Sequence, residues 1–272
     1  MTAPETYTHG HPDVVVEAHA TRTVENSAAY FMELLRQGDR LLDLGCGPGT
    51  ITVGLARAVA PGRVVGIDNS AKVLDRARWH AAAAGVEIDF QVASVYAVPF
   101  PDGSFDVVHA HQVLQHLGDP VGALGEARRV LRPGGLVAVR DVDNGTVVWH
   151  PGDETLDSWQ TAHEAVHRAN GGEPHAGRRL LAWVRAAGFV DAEATASTWS
   201  FANDERRRWW GQLWAKRVVS EPFAGRAVAL GLADQTSLEE YAAAFLRWSE
   251  QPDGWCAFIH GEVIARKPDA AG

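Results

Sequence analysis

A chain of 272 residues with 46% hydrophobic and 22% charged content can bury a full core and has the composition of a globular protein. Its formal charge of −9 argues against a surface built to displace counterions from nucleic acid and favours a small-molecule partner. Two cysteines, Cys46 and Cys256, supply neither a disulfide framework nor a cysteine-based zinc site, no apolar run reaches the roughly 18 residues of a membrane helix, and the start lacks a signal-peptide pattern, so a cytoplasmic protein is expected.

Residues 1–20 are polar and irregular, with Tyr7, His9, Gly10 and His11 close together. From Thr23 to Leu35 the apolar positions Val24, Ala28, Phe31 and Leu35 repeat with a helical period. Such a lead-in either lies as a lid across a bound cofactor or packs outside a sheet. At Leu41 a rhythm begins. The strand Leu41 to Leu44 runs into the helix Thr50 to Val59, stopped by Pro61-Gly62, and then comes the strand Arg63 to Asp68. The helix Ala71 to Ala84 ends at Gly85 and precedes Ile88 to Val92. The strand Phe105 to Ala110, a helix from about Pro120 to Leu131, a Pro133-Gly134-Gly135 turn and the strand Leu136 to Arg140 complete the series. Strands alternating with helices imply right-handed crossovers and a mostly parallel sheet covered on both faces, with ligands at the strands' carboxyl ends.

After Asp141 the rhythm changes to a helix-rich stretch that holds most of the chain's ten tryptophans. A helix at 177–187 leads to an extended stretch at 192–201, and a last strand, Trp255 to Arg266, can pair with it as an antiparallel hairpin at the sheet edge. The expectation is therefore an α/β, Rossmann-like fold with seven strands, mostly parallel, and a helical cap inserted before the last strands. Its parts are a lead-in (1–36), a cofactor-binding core (37–145), cap helices with the sixth strand (146–251), and the last strand and tail (252–272).

The stretch Asp43-Leu44-Gly45-Cys46-Gly47-Pro48-Gly49-Thr50 is where a cofactor is expected, because the glycines permit positive φ and bring bare backbone to a ligand. Thr50 stands where a dinucleotide fingerprint wants Gly or Ala, and the Asp43 carboxylate would repel a pyrophosphate while favouring a sulfonium and an ammonium group. Asp68 closes the second strand, where a carboxylate can accept from two ribose hydroxyls or merely cap the next helix.

On these residues the segment resembles the class I S-adenosylmethionine-dependent methyltransferases. The run Phe105 to Leu117 and Arg132-Pro133-Gly134-Gly135 are similar to the ubiquinone/menaquinone-biosynthesis-like branch and related natural-product enzymes. The resemblance implies S-adenosyl-L-methionine as cofactor, with S-adenosyl-L-homocysteine as product. It also implies Asn69 beside the ribose or adenine, and His111 and Gln112 beside the methionine portion, with Arg22 reaching the cofactor carboxylate. Ser94 departs from the pattern, because many relatives carry an Asp there, and this shifts adenine recognition toward the Val95 amide.

Methyl transfer needs alignment and, for a hydroxyl acceptor, removal of a proton. Sugar and phenol O-methyltransferases resembling this chain carry a histidine at the place of His116, which makes it the candidate base, although a surface or cap histidine is the plainer reading. Asp141 and Asp143 at the end of the fifth strand are the runners-up. His163-Glu164-Ala165-Val166-His167 matches the zinc-protease spacing, but no third ligand is identifiable and no metal is expected. Trp199, Trp209, Trp210 and Trp214 either fill the cap's own core or wall an aromatic or apolar acceptor. Arg206-Arg207-Arg208 either holds an anionic group or is a solvated helix face. The expected activity is methyl transfer to a small organic acceptor, at a hydroxyl oxygen or, alternatively, at carbon. A nicotinamide-dependent oxidoreductase and a non-catalytic cofactor binder are the rivals from other classes.

Overall fold

The structure, a computed structural model, describes residues 21–269, so the expectations for residues 1–20 lie outside the described residues. β1 (Leu41–Leu44) is buried at every position, as a central strand covered on both faces must be. α1 (Val24–Ser27) and α2 (Ala29–Met32) precede it, and α3 (Thr50–Val59) and β2 (Val64–Asp68) follow. α4 (Ala71–Ala84) starts on Ser70, whose hydroxyl accepts from the Val73 amide, and stops at Gly85 in the left-handed region. β3 (Asp89–Val92), β4 (Phe105–His111), a one-turn 3-10 helix (Leu114–His116) and α5 (Pro120–Val130) continue the alternation. α5 is capped by the Asp119 carboxylate and carries Pro120 in its first turn, where no backbone donor is lost.

β5 (Leu131–His150) opens the C-terminal half, followed by α6 (Glu154–Ala169), a 3-10 turn (Ala176–Arg179), α7 (Leu180–Ala186) and β6 (Val190–Phe201). α8 (Asp204–Val218), α9 (Phe223–Ala229) and α10 (Gln235–Ser249) lead to β7 (Trp255–Arg266). Asp153, Asn203 and Asp234 cap α6, α8 and α10, each accepting from a backbone amide of the first turn. Among the described residues seven strands form one sheet in the order β3-β2-β1-β4-β5-β7-β6. The first five are parallel, and β7 runs antiparallel to both of its neighbours. The strand order reverses between β1 and β4, which places a ligand crevice at their carboxyl ends. No helix among the described residues is long and apolar enough to cross a membrane.

Three boundaries differ from the sequence reading. The lead-in is two short helices, broken at Ala28 (φ −133°, ψ 0°), because the break turns Ala28 and Phe31 into one apolar cluster with Leu41, Ile51 and Leu55. β5 extends well beyond residues 136–140, because β7 pairs with it from Leu136↔Arg266 to His150↔Trp255 across a bulge between Asp143 and Val148. The expected boundary at 145/146 therefore falls inside a strand, and β6 begins at Val190 rather than 192. The cap shares its core with the sheet, since Leu156, Trp159, Trp214, Phe245 and Trp248 pack with Phe201, Cys256 and Phe258.

At the register pair Arg140↔Glu262 the sheet buries an ion pair, with Arg140 Nε donating to Glu262 Oε1 at 3.1 Å and Ser197 and Thr195 donating to the same carboxylate. Glu262→Gln leaves the Arg140 charge buried and uncompensated, so a loss of about 3 kcal/mol is expected. Urea unfolding at unchanged slope is the measurement, and a shift under about 1 kcal/mol would show that the pair is not what closes β5 on β7.

Candidate active site

The turn between β1 and α3 places Gly45 (φ 61°), Gly47 (φ 54°) and Gly49 (φ 78°) in the left-handed region that side chains avoid. A Cβ on Gly45 would stand 2.5 Å from the Val113 side chain, whereas one on Gly47 would meet nothing within 4 Å, because Gly47 faces a cavity of about 350 Å³. That cavity opens at the carboxyl ends of β1, β2, β3 and β4. Its walls include every cofactor-site residue singled out from the sequence: Arg22, Asp43, Gly45, Gly47, Asp68, Asn69, Ser94, Val95, His111 and Gln112.

Asp43 is 2% exposed, and each of its oxygens holds one hydrogen bond, from His109 Nδ1 at 2.7 Å and from Thr52 Oγ1 at 2.6 Å. Asp68 accepts from the Gly47 amide at 3.1 Å and the Ser70 amide at 2.9 Å, tying the end of β2 to the glycine turn. The Ser94 hydroxyl is engaged locally by the Tyr96 amide at 3.1 Å. Neither ring nitrogen of His111 has a hydrogen-bond partner among the described residues. Burial, with Arg22 and Arg140 nearby, pushes its pKa well below the usual histidine range and keeps it neutral.

A second cavity, of about 590 Å³, lies between the cap and the strand ends. Trp149, Trp159, Trp199, Trp209, Trp210 and Trp214 line it with Phe201 and Phe258, and Asn144, Gln160 and His163 supply polar groups. The same indoles pack in the cap's core and line the cavity. The cavities share Arg22, Gln112 and His116. Gln112 takes a left-handed backbone (φ 53°) rare for a side-chain-bearing residue, with its amide donating to the Arg140 carbonyl at 2.7 Å. Its side chain accepts from Arg22 Nη2 at 2.6 Å and donates to His260 Nε2 at 2.8 Å. Arg22 is bonded here to Gln112. His116 closes the 3-10 turn after β4, with its ring stacked on His167 at 5.0 Å and 11°. Desolvation, then His167 and Arg22, hold its pKa well below the usual range, so it stands as a neutral imidazole at pH 7.

Asp141 and Asp143, the runner-up carboxylates, line neither cavity. Asp141 is fully buried, is absent from the walls of both cavities, and accepts at Oδ1 from the Gln115 amide at 3.3 Å. Asp143 is held by Arg178, whose Nη2 donates to it at 2.8 Å. The reason is the length of β5, which makes both residues mid-strand, where the Ala176–Arg179 turn covers them. A Cβ on Gly177 would stand 2.9 Å from the Asp141 carbonyl and 3.1 Å from Asp143 Cβ. Glu164 of the zinc-protease-like pattern bonds to Arg168 and His175, and among the described residues no group of three or more His, Cys, Asp or Glu is placed to share a metal ion. The arginine run divides. Arg206 lies over Phe201 at the cavity, Arg207 is buried on the Ser249 and Ala202 carbonyls, and Arg208 pairs with Glu250 at the surface.

A methyltransferase domain family matches residues 35–188 of this sequence. The chain is 35% identical to an uncharacterized methyltransferase of Schizosaccharomyces pombe over 97% of both chains, and 32% identical to a probable methyltransferase of Aspergillus luteorubrus over 96% of this chain and 97% of that one. The chain belongs to the methyltransferase family. Among solved structures this methyltransferase resembles the [4+2]-cyclase SpnF, with a TM-score of 0.52 and 26% identity over 94% of this chain and 80% of that one. S-adenosylmethionine is its cofactor, and the smaller cavity fits that molecule. Two carboxylates, an open Gly47 backbone and an unbonded neutral imidazole suit a cationic nucleoside and would disfavour a pyrophosphate.

Gln115 and His163 line the larger cavity, and His167 and His260 bond to the Gln115 carbonyl and the Gln112 side chain; the sequence reading singled out neither Gln115 nor His260, and His163 and His167 only as a metal-spacing pair. The His163–His167 spacing was the one local signal for any of them.

Burial raises the Asp141 carboxyl pKa to about 8. Between its unfolded value near 4 and 8 the native state then binds the extra proton, so this residue's contribution to stability falls as pH rises through that window. Asp141→Asn keeps an acceptor for the Gln115 amide and cannot ionise. Unfolding free energies from urea titrations at pH 5 and pH 8 should converge in the variant by a few kcal/mol relative to the parent, and an equal pH slope in both proteins would contradict the assignment.

Proposed function

We propose that this enzyme methylates a hydroxyl oxygen of a small, planar aromatic acceptor, a natural product or cofactor precursor. The reading is carried by the junction of the two cavities, where the neutral imidazole of His116 stands between the glycine turn and the indole-lined chamber. An aromatic wall of this extent favours a flat acceptor that stacks, and a neutral histidine suits the removal of a hydroxyl proton.

When bound, S-adenosylmethionine supplies a methyl carbon activated by its sulfonium. Asp68 would hold the ribose hydroxyls, Asn69 and the Val95 amide would flank the nucleoside, and Asp43, His111, Gln112 and Arg22 would surround the methionine portion. Arg22 sits where it can leave Gln112 for a carboxylate. An acceptor ring would stack among Trp159, Trp210 and Trp214 with its hydroxyl toward His116, an imidazole nitrogen of which would take the hydroxyl proton as the sulfonium–methyl bond breaks and S-adenosylhomocysteine leaves. Transfer to carbon of a quinol is the alternative within the same site, since such an acceptor also needs one proton removed.

Asp68→Ala should weaken S-adenosylhomocysteine binding by about 10- to 100-fold in calorimetry, the loss of charge-assisted hydrogen bonds, while the protein stays folded. Unchanged affinity would remove the ribose assignment, and binding of NADH in place of S-adenosylhomocysteine would remove the cofactor. Turnover is read with 1-naphthol, 2,3-dihydroxynaphthalene and 1,4-dihydroxynaphthalene by mass gain of one methyl group. Because the fold also carries a [4+2]-cyclase, methyl gain is the readout and acceptor consumption is not. His116→Ala should lower kcat by about 100-fold with the acceptor KM within a few-fold, and wild-type turnover in that variant would take the proton-transfer role from His116.

A further inference from the structure

We propose that His167, delivered by the cap helix α6, is a positioning residue for methyl transfer, holding the peptide and the ring plane of His116. The inference rests on the reading of His116 as the base.

His116 ends a single 3-10 turn, a short element with little hydrogen bonding of its own to fix a side chain. The residue before it, Gln115, is gripped on both of its backbone polar groups. Its N–H donates to Asp141 Oδ1 of β5 at 3.3 Å. Its carbonyl accepts twice, from His167 Nε2 and from the Glu173 amide, each at 2.8 Å. A carbonyl can only accept, so the His167 proton is on Nε2 and its tautomer is fixed. The His167 ring, 1% exposed, then lies parallel to that of His116. The chain can come this close because residue 172 is glycine. A Cβ there would stand 2.5 Å from the Gln115 carbonyl oxygen and press on the His167 ring.

The arrangement also accounts for the zinc-protease-like spacing on α6. His163 and His167, one turn apart, share the face turned to the site. His163 lines the acceptor cavity, while His167 stays behind the wall and supports His116. Glu164 points to Arg168 and His175 and takes no part. Asp141, buried behind the turn, is the matching clamp from the sheet side. A base must be aimed as well as neutral, and a small misplacement of an aligned group costs orders of magnitude in rate.

The test compares full-length His167→Phe, which keeps a ring for the stack and loses the donor, with His167→Gln, which keeps a donor for the Gln115 carbonyl. Single turnover with the naphthol probes should slow at least tenfold in His167→Phe, with acceptor KM and S-adenosylhomocysteine affinity within twofold, and His167→Gln should recover most of the rate. In protein labelled with nitrogen-15 histidine and saturated with S-adenosylhomocysteine, the single set of His116 ring signals should broaden or split in His167→Phe and remain single in His167→Gln. A wild-type rate with unshifted His116 signals in His167→Phe overturns the inference, as does a joint fall of rate, affinity and melting temperature in both variants. Should no naphthol be methylated, the His116 signals decide by the same criterion. His116→Ala as the reference separates the two levels. If it is slow while His167→Phe matches the parent, only the positioning role falls, and if it turns over at the parent rate the base reading falls with it.

Discussion

The Asp43 carboxylate, buried at the point where the strand order reverses, is the constraint around which the rest is arranged. It is bonded to His109 on β4 and to Thr52 on α3, so it joins the two central strands to the first crossover helix at the lip of the glycine turn. A buried carboxylate is tolerated only with its lone pairs satisfied, and satisfying them here fixes three elements at once. The glycine turn then has one course available, and Asp68 fastens its far side through the Gly47 amide. Asp43 and the glycine turn thereby form one wall of the smaller cavity.

The N-terminal half was legible because each of its signals is local. Glycines and prolines mark the turns, helices begin on Ser70 and Asp119, and short apolar runs give the buried strands. The fifth strand was not legible in length, because its continuation from Asp141 to His150 exists only through pairing with β7, more than a hundred residues later. That one error moved Asp141 and Asp143 from a strand tip, where they would face a ligand, to mid-strand, where they are covered.

The indole-lined cavity resisted the sequence for a related reason. His116 and His167 are 51 positions apart in the chain and stack only because α6 folds back over the 3-10 turn. The indoles that wall the cavity come from β5, α6, β6 and α8, four elements with no common periodicity. Their enrichment was visible in composition, yet their convergence on one chamber is a tertiary fact. The same residues serve as core and as wall, which is why neither reading of the tryptophans excluded the other.

The place of β7 bears on how this molecule is made. The last strand enters between β5 and β6, which are thus not neighbours until it arrives. On an emerging chain the five parallel strands can assemble around the glycine turn while β5 still presents a bare edge and β6 has no sheet to join. Phe258, which lines the larger cavity, and His260, which bonds the Gln112 side chain, come with the same strand. A chain cut short before residue 255 would carry the whole glycine turn and yet expose two long unpaired edges, the usual template for wrong association. The glycine turn is complete within the first five strands, whereas the indole-lined cavity gains the Phe258 side of its wall only when β7 enters the sheet.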